Sequence, residues 1–330
     1  MKKKEELNYY IKIPTLLIVV GTDICFSIYL KQNDNYVLYA TPENFTKDIR
    51  NKLKNDGHEH LYIQSKEKLN YNQYLEQNLK HVLLDPTISI QYKGKIIYDH
   101  SMDLVQQMFS NANNRNLNDV QFEQISNLVE SIFGFISNTN NGLQTLQRLI
   151  SNSYYDYVHS VNTAIYSMSL LMHHSLVNNA PTPKKSEIKQ LGIAAILHDI
   201  GKSKWPKYLY TKKDRLTNDE KKEIQLHPIY GIELCGLMNL DNIITNVVLF
   251  HHEKLDGSGY PSGTKNINFY SCIVGISDMF SAMTCDRPYR PRFSTFDALK
   301  NLKNQSDTGK IDKKLTATFI KLISTNRFQI

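Results

Sequence analysis

The sequence predicts a mainly α-helical protein with a small α/β domain at its N terminus. Its 330 residues exceed what one small core needs and suggest about two domains. From Ile13 to about Ile63, short apolar runs rich in β-branched and aromatic residues alternate with turn-like polar residues, which is typical of strands. From Leu143 onward, apolar residues recur mainly at helical spacing, and the chain contains no internal repeat.

The N-terminal domain, placed at residues 1–85, is predicted to contain four short strands and a helix. The strands are expected at Leu16–Val20, Phe26–Leu30, Tyr36–Ala40 and Leu61–Ile63, and the helix at Phe45–Leu53. No cluster of residues suited to catalysis occurs in this stretch. The domain could therefore sense a ligand, bind a signalling partner or form a homodimer surface, and the sequence does not decide among these roles.

Residues 86–142 are predicted to form a helical connector. Leu69–Leu84 and Ser89–Phe109 have helical spacing, whereas Asn111–Asn118 is rich in asparagine and predicts a loop. In Val120–Ile136, apolar residues recur at steps of three and four, as in an amphipathic helix. This apolar stripe could contact a second copy of the chain or pack within the same chain.

Composition restricts the function classes. The net charge of +7 is compatible with an anionic ligand but does not indicate a nucleic acid polymer as partner, and a slightly basic Lys- and Asn-rich composition explains it equally well. The four cysteines form no C-x-x-C pair and predict reduced, mostly buried thiols. The longest N-terminal apolar run is too short for a membrane span, and no signal peptide pattern is visible. We expect a cytoplasmic protein without a membrane span.

The most informative stretch joins two adjacent histidines to a glycine-rich loop. An apolar run from Ile243 to Phe250 ends in His251-His252. Adjacent imidazoles at a helix end can point at one metal centre. The Gly257–Gly259 segment that follows allows a close approach of backbone amides to a ligand. This junction predicts the rim of a metal site.

Other histidines and aspartates extend this prediction. A single histidine on a helix is more often an ordinary hydrogen-bonded residue, and we interpret six in this way: His58, His60, His81, His100, His173 and His174. A further set lies on apolar helices or at their ends: His159, His198, Asp199, His227, His251, His252 and Asp278. These groups would be costly to bury unless they were paired or bound to metal. Mixed imidazole and carboxylate ligation suits iron, manganese or zinc, and a set this large fits two metals with a bridging carboxylate.

The order of these segments resembles the HD-GYP domain. The resemblance rests on His159-Ser160, on His198-Asp199-Ile200-Gly201-Lys202, on His227-Pro228, on His251-His252-Glu253 with Asp256–Pro261, and on Asp278 with Arg287-Pro288-Tyr289-Arg290. HD-GYP domains are HD metal-dependent phosphohydrolases that degrade the bacterial second messenger cyclic di-GMP. The resemblance covers about Leu143 to Leu322 and implies an all-helical HD-GYP-like domain at residues 143–330.

The resemblance also implies a binuclear centre of divalent ions, either iron or manganese. One metal is expected to be held by His159, His198, Asp199 and Asp278. The bridging carboxylate is expected to be Asp199, and the second metal to be completed by His227, His251 and His252. Some family members bind a third metal through a Glu where this sequence has Tyr155, so two metals are predicted. A metal-bridging hydroxide would then attack the phosphodiester phosphorus.

Substrate contacts are implied in the same way. Lys202 is expected to offset charge on the phosphoryl oxygens, and Asp199 and Lys202 are the predicted catalytic residues. Gly259 and Tyr260 are expected to contact a guanine or ribose. Arg287 and Arg290 are expected to bind phosphates through their planar guanidinium groups.

The predicted activity is metal-dependent hydrolysis of cyclic di-GMP to linear pGpG, which would lower the level of the second messenger; whether hydrolysis continues to GMP is left open by the sequence. Two alternatives remain open. The chain could be a catalytically weak cyclic di-GMP receptor that signals through partners, a reading motivated by the extra N-terminal domain. It could also hydrolyse another cyclic dinucleotide, because Arg287 and Arg290 would serve any ring with two phosphates.

Overall fold

The computed structural model describes residues 9–19, 22–112, 118–139, 141–150, 156–206, 208–209, 212, 214–236, 240–286 and 291–325. These residues form two compact units, one ending at Lys93 and the other beginning at Gly94. Most of the predicted connector thus belongs to the same unit as the helices that follow it, and the separate connector at 86–142 stays a prediction. Among the described helices, none is both long and apolar enough to cross a membrane.

The first unit contains a four-stranded antiparallel sheet with the order β1-β4-β2-β3. Its strands are β1 (Tyr10–Pro14), β2 (Ile28–Gln32), β3 (Asn35–Ala40) and β4 (His60–Gln64). Its helices are α1 (Lys47–Asn55) and α2 (Lys68–Leu84). Alternate residues of the strands, including Ile13, Ile28 and Leu61, are buried, as expected for a sheet with one face on a core. The predicted small α/β domain is confirmed.

One predicted strand is wrong. The described part of the predicted strand Leu16–Val20, which ends at Val19, does not pair with the sheet; Thr15–Leu17 forms a 3-10 turn instead. Leu17 and Ile18 are buried as core residues, and the amide of Val19 donates to the Tyr74 hydroxyl at 2.8 Å. The apolar run therefore marks core packing rather than strand pairing. The true first strand lies earlier, at β1.

The second unit is helical, as predicted. Its described helices are α3 (Ile90–Ala112, which begins in the first unit), α4 (Asp119–Asn138), α5 (Gly142–Leu149), α6 (Asp156–Val177), α7 (Lys185–Leu197), α8 (Asn218–Ile224), α9 (His227–Cys235), α10 (Asn242–Phe250), α11 (Phe269–Thr284), α12 (Thr295–Asp307) and α13 (Lys313–Thr325). A 3-10 turn at Ile200–Lys204 follows α7. The core lies around α6 and α7, which pack against each other and are buried along most of their length.

The amphipathic stripe predicted at Val120–Ile136 packs within the chain. Helix α4 buries Ile125, Val129 and Ile132, and it packs on α7. Helices α4 and α7 can approach each other closely because Gly192 of α7 lies opposite Val129 of α4. A Cβ at Gly192 would lie only 2.5 Å from the valine side chain. This contact accounts for the stripe without a second copy of the chain.

Gly201 and His227 bring two segments near the site into close contact. Gly201 does not stop a helix through a left-handed conformation; it lies in the 3-10 turn, where an added Cβ would overlap the carbonyl oxygen of His227. His227 opens α9 rather than closing the preceding helix, which ends at Ile224. That preceding helix begins with a reciprocal capping box formed by Thr217 and Glu220. Gly201 therefore serves the close packing of two segments that both carry site residues.

The prediction of buried thiols holds for Cys235 and Cys285. Cys272 is half-buried. The prediction is wrong for Cys25, which is exposed in the turn before β2, where its Sγ donates to the carbonyl of Asn70 at 3.3 Å.

Candidate metal centre

The structure brings together seven side chains that the sequence singled out, at the ends or on the buried faces of helices of the second unit. They are His159 in the first turn of α6, His198 and Asp199 after α7, His227 at the start of α9, His251 and His252 after α10, and Asp278 in α11. All are buried except His252, whose side chain is 21% exposed. Buried imidazoles and carboxylates in such numbers require partners.

One group of possible ligand atoms comes from His159, His198 and Asp199, which lie within 4.8 Å of one another. The Nε2 atom of His198 is 3.2 Å from Asp199 Oδ2, and that of His159 is 3.5 Å from the same oxygen. Asp278 adjoins this group, because its Oδ1 lies 2.9 Å from His159 Nε2. These four residues form the first cluster.

A second group consists of Asp199, His227, His251 and His252, again within 4.8 Å. The other carboxylate oxygen of Asp199, Oδ1, lies 3.2 Å from His227 Nε2 and 3.9 Å from His251 Nε2. Asp199 therefore presents one oxygen to each cluster, which is the arrangement that a bridging carboxylate needs. His252 also approaches the first cluster, with its Nδ1 3.6 Å from Asp278 Oδ2.

Backbone carbonyls orient three of the imidazoles. The Nδ1 atoms of His198, His227 and His251 lie 2.8–3.1 Å from carbonyl oxygens of the preceding helical turn. A carbonyl oxygen only accepts, so each of these Nδ1 atoms carries the proton and donates. The Nε2 atoms that face the clusters are thus left with lone pairs, as metal ligation requires.

The orientation of His159 depends on a residue that the sequence reasoning missed. Its Nδ1 lies 2.8 Å from the hydroxyl of Ser281, which is fully buried. Ser281 follows Asp278 by three residues on α11, so both side chains lie on one helix face. That spacing is the signal in the sequence that could have found it.

Two buried polar atoms test whether the residues fit a metal. Among the described residues, neither His198 Nε2 nor Asp199 Oδ1 has a hydrogen-bond partner. An unpartnered buried polar atom is destabilising by about 1–3 kcal/mol. Both atoms point into the clusters, where a cation would satisfy them. The donor set therefore fits divalent metal ions.

The loop Asp256–Pro261, called the Gly-Tyr-Pro loop after Gly259-Tyr260-Pro261, follows closely on the histidine pair His251-His252. Glu253 is buried, and its Oε1 accepts hydrogen bonds from the amide of Ser262 at 2.7 Å, the hydroxyl of Ser262 at 2.8 Å and the amide of Gly263 at 3.0 Å. Gly259 lies against the backbone of Glu253 and Lys254, where a Cβ would overlap both. Glu253 thus fixes the loop and is not brought into either cluster.

A cavity of about 850 Å³ opens onto both clusters. His227, His252 and Asp278 line its inner end, together with Lys202 and Tyr260. The Tyr260 ring lies 4.6 Å from the His252 ring, and the ammonium of Lys202 contacts Asp199 Oδ2. This volume falls in the range of roughly 300–1,000 Å³ that is usual for ligand pockets.

The model of the HD domain family matches residues 145–315, just over half of the chain. The chain belongs to the HD domain family. HD domains bind divalent metals, which agrees with the buried clusters. A likeness to a solved structure extends over both units: Bd1817, an HDG"Y"P protein from Bdellovibrio bacteriovorus, has a TM-score of 0.64 at 20% identity and covers 96% of this chain and 100% of its own.

Two curated relatives show how far the likeness reaches. The cyclic di-GMP phosphodiesterase PA4108 of Pseudomonas aeruginosa is 29% identical over 201 residues, 60% of this chain and 46% of the relative. The 3'3'-cGAMP-specific phosphodiesterase 1 of Vibrio cholerae is 30% identical over 135 residues, 40% of this chain and 31% of the relative. The chain spans less than half the length of either relative. The family match confirms the HD domain that the resemblance predicted, and the likeness to Bd1817 shows a shared fold.

The protonation states in this HD domain suit metal ligands. Burial lowers the pKa of His251 to about 3, and it also lowers the pKa of His159 and His252. Although burial opposes ionisation, the hydrogen bond with His159 holds the pKa of Asp278 well below its usual value. His198 is the exception: burial alone would depress its pKa, but the Asp199 carboxylate beside it raises the pKa.

Some predicted site residues are not placed. Arg287 and Arg290, expected to bind phosphates, and Tyr155, at the expected third-metal position, lie outside the described residues. Conversely, the cavity of this HD domain has lining residues that the sequence did not indicate: Trp205, Arg215, Asn301 and Gln305. They are far apart along the chain and belong to no motif that we recognised.

Proposed function

We propose that this HD domain hydrolyses cyclic di-GMP with the help of two divalent metal ions. The observation that carries the proposal is the position of the Asp199 carboxylate. Each of its two oxygens faces a different buried histidine cluster, and a cavity large enough for a ligand opens onto both clusters. The similarity to a cyclic di-GMP phosphodiesterase supports the choice of substrate.

The proposed ligands follow the two clusters. His159, His198, Asp199 and Asp278 would hold one ion, and His227, His251 and His252 would hold the other with Asp199 between them. Mixed imidazole and carboxylate donors favour iron or manganese. Bound ions would lower the pKa of a water and stabilise negative charge on the phosphoryl oxygens. Because the ligand side chains are already oriented by carbonyls and by Ser281, little rearrangement is needed to bind the ions.

Lys202 and the Gly-Tyr-Pro loop contribute the remaining groups. Lys202 is 9% exposed, and it adjoins both Asp199 and the cavity. Its ammonium can therefore offset charge on a phosphate that reaches the centre. The ring of Tyr260 offers a flat surface for a base or ribose, and Gly259 lets the loop lie close to the histidine pair. Arg287 and Arg290 remain proposed phosphate ligands.

The test is hydrolysis by the purified chain. Protein loaded with iron or manganese without air is incubated with cyclic di-GMP, and the nucleotides are separated by chromatography. Linear pGpG is expected as the first product, with GMP later if the second bond is also cleaved. The Asp199→Ala variant is the negative control. Absence of any turnover with either metal contradicts the proposal.

A second candidate is hydrolysis of a different cyclic dinucleotide. It is favoured by the relative that is named as specific for 3'3'-cGAMP. The shape of the metal centre does not distinguish these substrates, since all contain the same phosphodiester. Competition between cyclic di-GMP, 3'3'-cGAMP and cyclic di-AMP in one reaction decides between them.

A further inference from the structure

Beyond the two clusters, the polar lining of the cavity above the metal centre is of two main kinds, cations and neutral amides, with the carboxylate of Asp214 beside the cations. The cations Lys202, Lys212, Arg215 and Lys221 come from the chain between α7 and α9. Its neutral amides, Asn301 and Gln305, come from α12. Cations suit phosphate oxygens, whereas an amide both donates and accepts and so suits an uncharged polar edge.

The two amides act as a pair. They are four residues apart and therefore share one face of α12, and both are half-buried. Gln305 Nε2 donates a hydrogen bond to Asn301 Oδ1 at 3.3 Å. With this orientation, Asn301 Nδ2 remains as a donor and Gln305 Oε1 as an acceptor, since the described residues supply no other partner for either atom.

Apolar side chains complete this part of the lining. Met279 and Met283 of α11 are one helical turn apart and also line the cavity. Thioether side chains adapt their shape and contact aromatic rings favourably. Helices α11 and α12 together thus offer an apolar surface for a ring and hydrogen-bonding groups for its edge, which are the two contacts by which proteins recognise unpaired bases.

We propose that Asn301 and Gln305 recognise a guanine edge of the cyclic dinucleotide and so determine a preference for guanine over adenine; this inference rests on the function proposed above. On guanine, the O6 carbonyl accepts from Asn301 Nδ2, while N1–H and the 2-amino group donate to Gln305 Oε1. Adenine offers one amino donor and one ring nitrogen acceptor to the same pair. Guanine therefore gains one more hydrogen bond.

The experiment compares guanine and adenine substrates in one set of variants. Metal-loaded wild type and the Asn301→Leu/Gln305→Leu double variant are assayed for kcat/KM and for affinity by calorimetry, with cyclic di-GMP and cyclic di-AMP. We expect the ratio of cyclic di-GMP to cyclic di-AMP to fall about tenfold in the double variant. Hydrolysis of bis(p-nitrophenyl) phosphate, which has no base, should stay unchanged. The matched control is Asn304→Leu on the exposed face of the same helix, which should retain the wild-type ratio.

The outcomes separate the two proposals. A double variant with the wild-type ratio, or a wild type that prefers cyclic di-AMP, overturns the recognition of guanine by this pair. If the wild type cleaves bis(p-nitrophenyl) phosphate but neither binds nor cleaves a cyclic dinucleotide, the proposed function is overturned. The proposed contact with the base then falls as well. If the double variant loses the base-free activity as well, the single variants Asn301→Ser and Gln305→Ser decide by the same ratio.

Discussion

The Nε2 atoms of His227 and His251 face each other at 3.2 Å in a fully buried site. The Nδ1 atom of each ring donates to a backbone carbonyl, so both rings turn a lone pair toward the other. Two lone pairs at this distance repel, and burial keeps water from relieving the repulsion. The pair is therefore stabilised by a cation between or beside the rings.

Metal binding should consequently raise the stability of the folded chain. Removing metal with a chelator is expected to lower Tm, and adding manganese at about 100 times Kd is expected to restore roughly 2.7 kcal/mol of the free energy of unfolding. Differential scanning calorimetry of metal-free and metal-loaded protein measures this change.

The control for this experiment is the exposed histidine of α2. His81→Gln should show the same metal-dependent rise in Tm as the wild type, because His81 lies outside both clusters. His227→Gln should show a smaller rise. An equal rise in the wild type and in His227→Gln would contradict the assignment of His227 to the centre.

Replacing the shared carboxylate should remove both metals, whereas replacing a residue of one cluster should not. Asp199→Ala is expected to bind almost no metal, because the substitution removes one carboxylate oxygen from each cluster. His252→Ala, which changes only the more exposed ligand of the second cluster, is expected to retain the metal of the first. Elemental analysis of the purified variants gives the metal-to-protein ratio, and circular dichroism confirms folding. An Asp199→Ala protein with full metal content would refute the bridging role.

The sequence indicated the buried grouping of histidines and aspartates better than the cavity around it. Residues such as His198 and Asp199 stand out because a buried imidazole or carboxylate is costly, and their order along the chain carries the family resemblance. Asn301 and Gln305 carry no such cost on a helix surface. Their position in the cavity depends on how α12 packs on α11, which local spacing does not specify. The error at Leu16–Val20 has a similar origin, since burial alone does not distinguish a strand from a core turn.

The buried histidine outside the metal centre predicts a pH dependence of stability. His100 is 5% exposed, and its Nδ1 has no hydrogen-bond partner among the described residues. Burial lowers its pKa to about 4, against the opposing charge of Asp103. The unfolded chain, with a histidine pKa of about 6.5, therefore takes up this proton first as the pH falls. The contribution of His100 to stability is thus constant above about pH 6.5 and becomes increasingly unfavourable down to about pH 4, by roughly 3 kcal/mol at most.

The His100→Gln variant isolates this contribution. Urea unfolding of metal-free wild type and variant at a series of pH values should show a free-energy difference that shifts in favour of the variant between pH 6.5 and pH 4. The histidines of the metal centre titrate in both proteins and cancel in the difference. A difference that does not change with pH would show that His100 is not held neutral by burial.

The contact of Gly259 with the histidine-bearing segment predicts a variant that loses activity more than stability. A Cβ at this position would overlap the backbone of Glu253 and Lys254, so Gly259→Ala must move the loop that carries Tyr260 away from His252. A displacement of about 1 Å near the reacting groups can cost on the order of 100-fold in rate. We expect kcat/KM for cyclic di-GMP to fall by about that factor while the metal content stays at the wild-type level, because the clusters themselves are not changed. Gly134→Ala is the matched control, since a Cβ there, in the last turns of α4, meets no neighbouring side chain closer than 4.0 Å and should leave kcat/KM unchanged. If Gly259→Ala retained full activity, the close approach of the loop to the histidine pair would not be needed for substrate binding.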